Sequence, residues 1–84
     1  MPGRLLVGME NERDLSVEFG ERLRRLRTQR GLTQEKLTEL AGLDKNYVTE
    51  AERGKANPTL RTIGRLADVL GVDIAALVQG DCDR

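Results

Sequence analysis

Glycines at positions 31, 42, 54 and 71 each close a stretch in which apolar residues recur at helical spacing, so the chain is restricted to short helices that persist only by packing together. Phe19, Leu23 and Leu26 mark the first helix, over 17–30, with Ser16 as its N-cap. Leu37, Leu40 and Ala41 mark the second, over 34–41. Thr33 caps it, Glu35 suits its first turn, and Lys36 leaves the capping box incomplete. After it, Gly42-Leu43-Asp44 forms a tight connection in which glycine permits positive φ, leucine plugs the core and Asp44 caps the next helix. That third helix, over 45–53, turns Val48, Ala51 and Glu52 inward and leaves Lys45, Asn46, Thr49 and Glu50 outside. Thr59 caps a fourth, over 60–70, with Leu60, Ile63, Leu66, Ala67 and Leu70 inward, and Asp73 caps a fifth, over 74–78. Gly64, inside the fourth, costs about 1 kcal/mol relative to alanine and marks either a close helix approach or nothing in particular.

No alternation of period two and no internal repeat is present, so the fold class predicted is all-α, a compact five-helix domain over 17–78. It follows a flexible arm, 1–16, with a second candidate start at Met9, and precedes a short polar tail, 79–84. Eighty-four residues supply about one core, and because Phe19 and Tyr47 are the only aromatics, that core is aliphatic. There is no histidine and one cysteine, which removes Ser-His and Cys-His nucleophile pairs, zinc-finger spacing and an internal disulfide. The expectation is a chain that is not an enzyme and needs no cofactor or metal, with Cys82 a bystander thiol. No run of 18 apolar residues and no signal-like amino end occur, so the chain is expected in the cytoplasm, away from membranes.

Net charge is zero, yet the charges are segregated. From Arg22 to Arg65 there are eleven Lys or Arg against five Asp or Glu, and the flanks carry three against nine. A basic middle between acidic ends attracts polyanions locally, although mixed charge on exposed helices also serves solubility. Arg27 and Glu52 both fall on inward stripes, where a lone charge is costly, so they are inferred to form a largely buried ion pair.

Two helices joined by a three-residue glycine turn have the geometry of a helix-turn-helix. The residues Leu23-Arg24-x-Leu26-Arg27, Gly31-Leu32-Thr33-Gln34-Glu35-x-Leu37, Gly42-Leu43, Tyr47-Val48-x-x-x-Glu52-Arg53-Gly54, Asn57-Pro58-Thr59-Leu60 and Leu66-Ala67-x-x-Leu70-Gly71-Val72 resemble the Cro/repressor (XRE-type) helix-turn-helix DNA-binding family over about 17–78. Lys45-Asn46-Tyr47-Val48 and Glu52-Arg53-Gly54-x-x-Asn57-Pro58 are similar to controller proteins of restriction-modification systems and to some phage repressors.

The resemblance implies a sequence-specific transcriptional regulator on double-stranded DNA, with base-edge contacts from Lys45, Asn46, Thr49 and Glu50. It implies phosphate contacts from Gln34, Tyr47, Arg53, Lys55 and Asn57. Gln34 would also brace the reading helix, and the ring of Tyr47 has partial burial as its alternative. The Arg27–Glu52 pair would set the angle of that helix, and Ala51 stands where a larger aliphatic is usual, implying a thinner core. One such helix reads only a few base pairs, so a homodimer is expected, joined through Val72, Ile74, Leu77 and Val78 unless these complete the monomer core. RNA polymerase or a partner protein is a further expected contact. The competing class is a protein-binding helical module, such as an antitoxin-like partner, which the acidic flanks favour.

Overall fold

The computed structural model describes the backbone of residues 2–79 and the side chains of residues 15–79. Five helices follow one another: α1 (Pro2–Gln29), α2 (Gln34–Leu40), α3 (Tyr47–Glu52), α4 (Leu60–Leu70) and α5 (Ile74–Val78). The tail from 80 onward, with Cys82, lies outside the described residues, as does Met1.

The largest departure from expectation is the start of α1. The helix begins at Pro2 and runs through the boundary expected at 16/17, so Ser16 is an interior helical residue and not a cap. Residues 2–16 lack apolar periodicity, but they are rich in Leu, Glu and Arg, which favour helix intrinsically, and proline suits a first helical position. Periodicity reports which face is buried; its absence does not forbid a helix.

Where caps are local, the sequence pattern holds. The amide of Lys36 donates to Thr33 Oγ1 at 2.9 Å and that of Thr62 to Thr59 Oγ1 at 3.1 Å. Gly71 ends α4 in the left-handed conformation. Asp73 occupies the N-cap of α5 but contributes its carbonyl, which accepts from the Ala76 amide at 2.9 Å, and its side chain makes no cap bond. Asp44 does not cap α3. The chain passes through a turn at Lys45-Asn46, the Tyr47 amide donates to the Asp44 carbonyl at 2.9 Å, and α3 starts two residues later than expected.

The core gathers Phe19 and Leu23 from α1, Leu37 from α2 with Ala41 at its end, Val48 and Ala51 from α3, four residues of α4, and Leu77 from α5. Leu26, Leu32, Leu43 and Val72 pack around it. Two expected core residues are outside: Leu40 is 51% exposed and Leu60 77%. On α2 the buried arc centres between Leu37 and Thr38, which places Leu40 beyond its edge. Thr38 is buried instead, its hydroxyl satisfied by the Gln34 carbonyl at 2.7 Å. Leu60 has the right angle on α4, but it opens the helix, one turn before the covered residues.

Helices α1 and α3 approach so closely that any side chain at Gly20 would run into the carbonyl oxygen of Ala51. Ala51 is fully buried. At this point the α1 backbone packs directly on the α3 backbone. Gly64 faces open space, so it marks no close approach. Three arginines tie elements together through carbonyl oxygens: Arg30 Nε donates to Leu70 at 2.6 Å, Arg22 Nη1 to Val78 at 3.1 Å and to Leu77 at 3.3 Å, and Arg65 Nη1 to Gly42 at 3.4 Å. Among the described residues, no helix is long and apolar enough to cross a membrane.

Candidate nucleic-acid interface

Helix α3 has six residues and no side-chain cap, so its own backbone bonds are too few to hold it. Its position comes from polar contacts with α1 and α2. Arg27 Nε donates to Glu52 Oε2 at 2.6 Å and Arg27 Nη2 to Glu52 Oε1 at 3.0 Å, a bidentate pair whose side chains are only 12% and 5% exposed. The remaining guanidinium nitrogen, Nη1, donates to the Leu32 carbonyl at 2.8 Å, so the arginine is anchored from both sides. The expected buried ion pair is present.

Gln34 extends this network. Its Nε2 donates to Glu52 Oε1 at 2.9 Å, and its Oε1 accepts from the Thr49 hydroxyl at 3.1 Å. The amide at the first position of α2 therefore clamps α3 at two points one turn apart, and only its second N–H is left for a phosphate. Bracing by Gln34 is explicit in this geometry. The same bond turns the hydroxyl of Thr49 toward α2 and commits its proton to Gln34.

The outward residues divide into free and committed groups. Lys45 and Asn46 are exposed at the entrance to α3, and among the described residues neither side chain has a hydrogen-bond or ion-pair partner. Glu50 faces Arg53 at 3.5 Å, both substantially exposed, so the carboxylate lies next to a cation on its own helix. Arg53, Lys55 and Asn57 are exposed where the chain leaves α3.

Tyr47 is half-buried, packed against the core, and its hydroxyl is buried without a hydrogen-bond partner among the described residues. Burial disfavours the phenolate and pushes its pKa above the ordinary value of 10.0. The partly buried ring, the alternative reading of Tyr47, is the arrangement this conformation shows. Leu77 is corrected: it is fully buried within the single chain and has no surface for a second copy. Val72 is half-buried against the core, whereas Ile74 and Val78 remain 44% and 42% exposed.

The basic middle is thus less available than its composition suggests, because Arg22, Arg27, Arg30 and Arg65 direct guanidinium nitrogens at the protein itself. Sequence patterning misses Gly20, Arg22 and Arg30. Gly20 alone carried a signal: a glycine beside an apolar stripe inside a helix is destabilising unless something needs the space.

Similarity to known proteins agrees with this arrangement. The chain is 48% identical to the restriction-modification controller protein C.AhdI from Aeromonas hydrophila, whose crystal structure superposes with a TM-score of 0.71 over 74% of this chain and 94% of that one. It is 39% identical over 62 residues, 74% of its length, to the immunity repressor protein of Bacillus phage phi105. A third relative, the SPbeta prophage-derived HTH-type transcriptional regulator YonR of Bacillus subtilis, is 37% identical over 62 residues, also 74% of this chain. The chain spans 43% and 57% of the length of these last two proteins, about half. The family profile described as a helix-turn-helix domain matches residues 18–79, and with α2, the glycine turn and α3 in their places inside that span, the chain belongs to the helix-turn-helix domain family.

Proposed function

We propose that this chain is a sequence-specific DNA-binding transcriptional regulator of the repressor or controller kind, with α3 entering the major groove. The observation that carries the reading is the clamp on α3: a six-residue helix held by Arg27, Glu52 and Gln34 keeps Lys45 and Asn46 outward with unengaged donors. A lysine donates to guanine O6 or N7, and an asparagine pairs bidentately with adenine. Arg53, Lys55, Asn57 and the spare N–H of Gln34 supply phosphate contacts, which fix register without choosing sequence. The names of the relatives, a controller protein and an immunity repressor, support the same reading.

A homodimer suits it, because two such helices about 34 Å apart read a pseudo-palindrome. Support comes from Ile74 and Val78, exposed on α5, and from exposed Leu15, which lines the same groove as Val78. Regulation then works through occupancy of the site, or through contact with RNA polymerase or another protein made there.

Selection from a random duplex pool, followed by gel shifts of winner and scrambled duplex at two salt concentrations, tests the proposal. Enrichment of a two-fold symmetric sequence, with affinity for both duplexes falling steeply as salt rises, is the expected result. A pool that stays random, or a chain sedimenting as a monomer on its DNA, overturns the specific or the dimeric part respectively.

A further inference from the structure

We propose that Thr49 reads the methyl group of a thymine, a role that rests on the sequence-specific reading above and narrows what α3 selects. A threonine offers two heavy groups on one carbon, a hydroxyl and a methyl. The hydroxyl of Thr49 has one proton, and it donates that proton to Gln34 Oε1 at 3.1 Å. Gln34 cannot follow a rotating threonine, since its other end is tied to Glu52 Oε1 at 2.9 Å and Glu52 is tied to Arg27. Turning the hydroxyl outward would strand the Gln34 oxygen, and a β-branched side chain has few alternative rotamers. With Oγ1 directed at α2, the methyl carbon is the heavy group that this half-buried residue has left for the surface.

The neighbours of Thr49 make such a methyl useful. Asn46 stands one turn earlier on the same face and is exposed, its side chain making no hydrogen bond to a described residue. Glu50, the next residue, is drawn to Arg53. The outward face thus presents a free amide beside a small apolar group. In the major groove, adenine presents the acceptor and donor that match an amide, and thymine alone among the four bases presents a methyl. An A·T-containing step is the chemical complement of Asn46 and Thr49 together.

The full chain is tested on the duplex it enriches from a random pool, with each thymine of the site replaced singly by deoxyuridine, which removes only the methyl. One thymine per half-site should lose about fourfold in affinity, the worth of one methyl group taken out of water. Thr49→Ser keeps the hydroxyl and, since it removes the methyl from both half-sites of a dimer, should bind the parent duplex about sixteenfold more weakly, with no further loss at that deoxyuridine. Thr49→Val keeps a methyl and breaks the bond to Gln34, so it should weaken binding to all sequences while staying sensitive to the same deoxyuridine. An enriched site at which no deoxyuridine matters overturns the Thr49 role and leaves sequence-specific binding intact, as does a Thr49→Ser chain that still discriminates thymine from deoxyuridine. A pool that stays random removes both.

Discussion

Helices α3 and α4 lie on opposite sides of one short loop and are held by different physics. Helix α4 has eleven residues, a threonine cap, a left-handed glycine stop and four buried apolar side chains in register. Helix α3 has six residues, no side-chain cap and two buried side chains, Val48 and Ala51. The first carries in its own sequence most of what makes it a helix, and the second is positioned by Arg27, Gln34 and the close backbone of Gly20. A helix that must leave one face polar for a partner has little apolar surface to give to the core. A few directed bonds then hold it, and their removal is correspondingly severe.

Removing the acceptor of this clamp is the strongest way to break the contrast. Glu52→Ala leaves the Arg27 charge buried and unpaired, and should destabilise the chain by about 3 to 5 kcal/mol, read as the shift of the urea midpoint. Pairing Arg27→Met with Glu52→Leu should restore much of that stability without restoring DNA affinity, because apolar packing does not fix the angle of α3. An unmoved midpoint in the single variant would mean that α3, like α4, stands on apolar contacts alone.

Two glycines inside helices, Gly20 and Gly64, sharpen the comparison at smaller cost. Gly20→Ala forces α1 away from the Ala51 carbonyl and should destabilise by about 1 to 3 kcal/mol, with DNA affinity falling as α3 shifts. Gly64→Ala, on α4, meets nothing and should stabilise by about 1 kcal/mol with affinity unchanged. Thermal melting and anisotropy on both variants separate the outcomes; equal effects would erase the distinction between the two helices.

The smallest expected effect belongs to the hydroxyl of Tyr47. The unfolded tyrosine loses its proton near 10.0 and the folded one at higher pH. Its contribution is therefore full below pH 10 and stability is lost as pH rises above it. Tyr47→Phe should abolish that alkaline loss and melt no lower at neutral pH, since it removes a buried hydroxyl without a partner. Should the variant bind DNA more weakly at unchanged stability, the hydroxyl reaches a phosphate in the complex after all.

What could be read from the chain beforehand follows the same division. Thr33, Thr59 and Gly71 act within a few residues of themselves, and their roles are legible as spacing. So is the inward placement of Arg27 and Glu52, because two charges on apolar stripes have few solutions other than each other. Periodicity turns Leu40 and Leu60 inward, since it gives an angle around a helix axis and says nothing of what stands opposite, and both are exposed. The resemblance marks Thr49 and Gln34 as interface candidates, but the direction of the Thr49 hydroxyl depends on a residue fifteen positions away. The start of α1 at Pro2 is not legible as spacing, because intrinsic preference leaves no periodic trace.

The arginines that grip carbonyl oxygens at Leu32 and Leu70 also separate folding from binding in the laboratory. Dissolved ions screen charges across open water within about 3 Å at molar concentration, but they reach poorly into short, partly buried hydrogen bonds. Lys45 and Lys55 are exposed, on the open side of that boundary. Concentrated sodium chloride should therefore strip nucleic acid from the purified chain and leave its circular dichroism spectrum unchanged, so that bound and bare forms interconvert by dialysis alone.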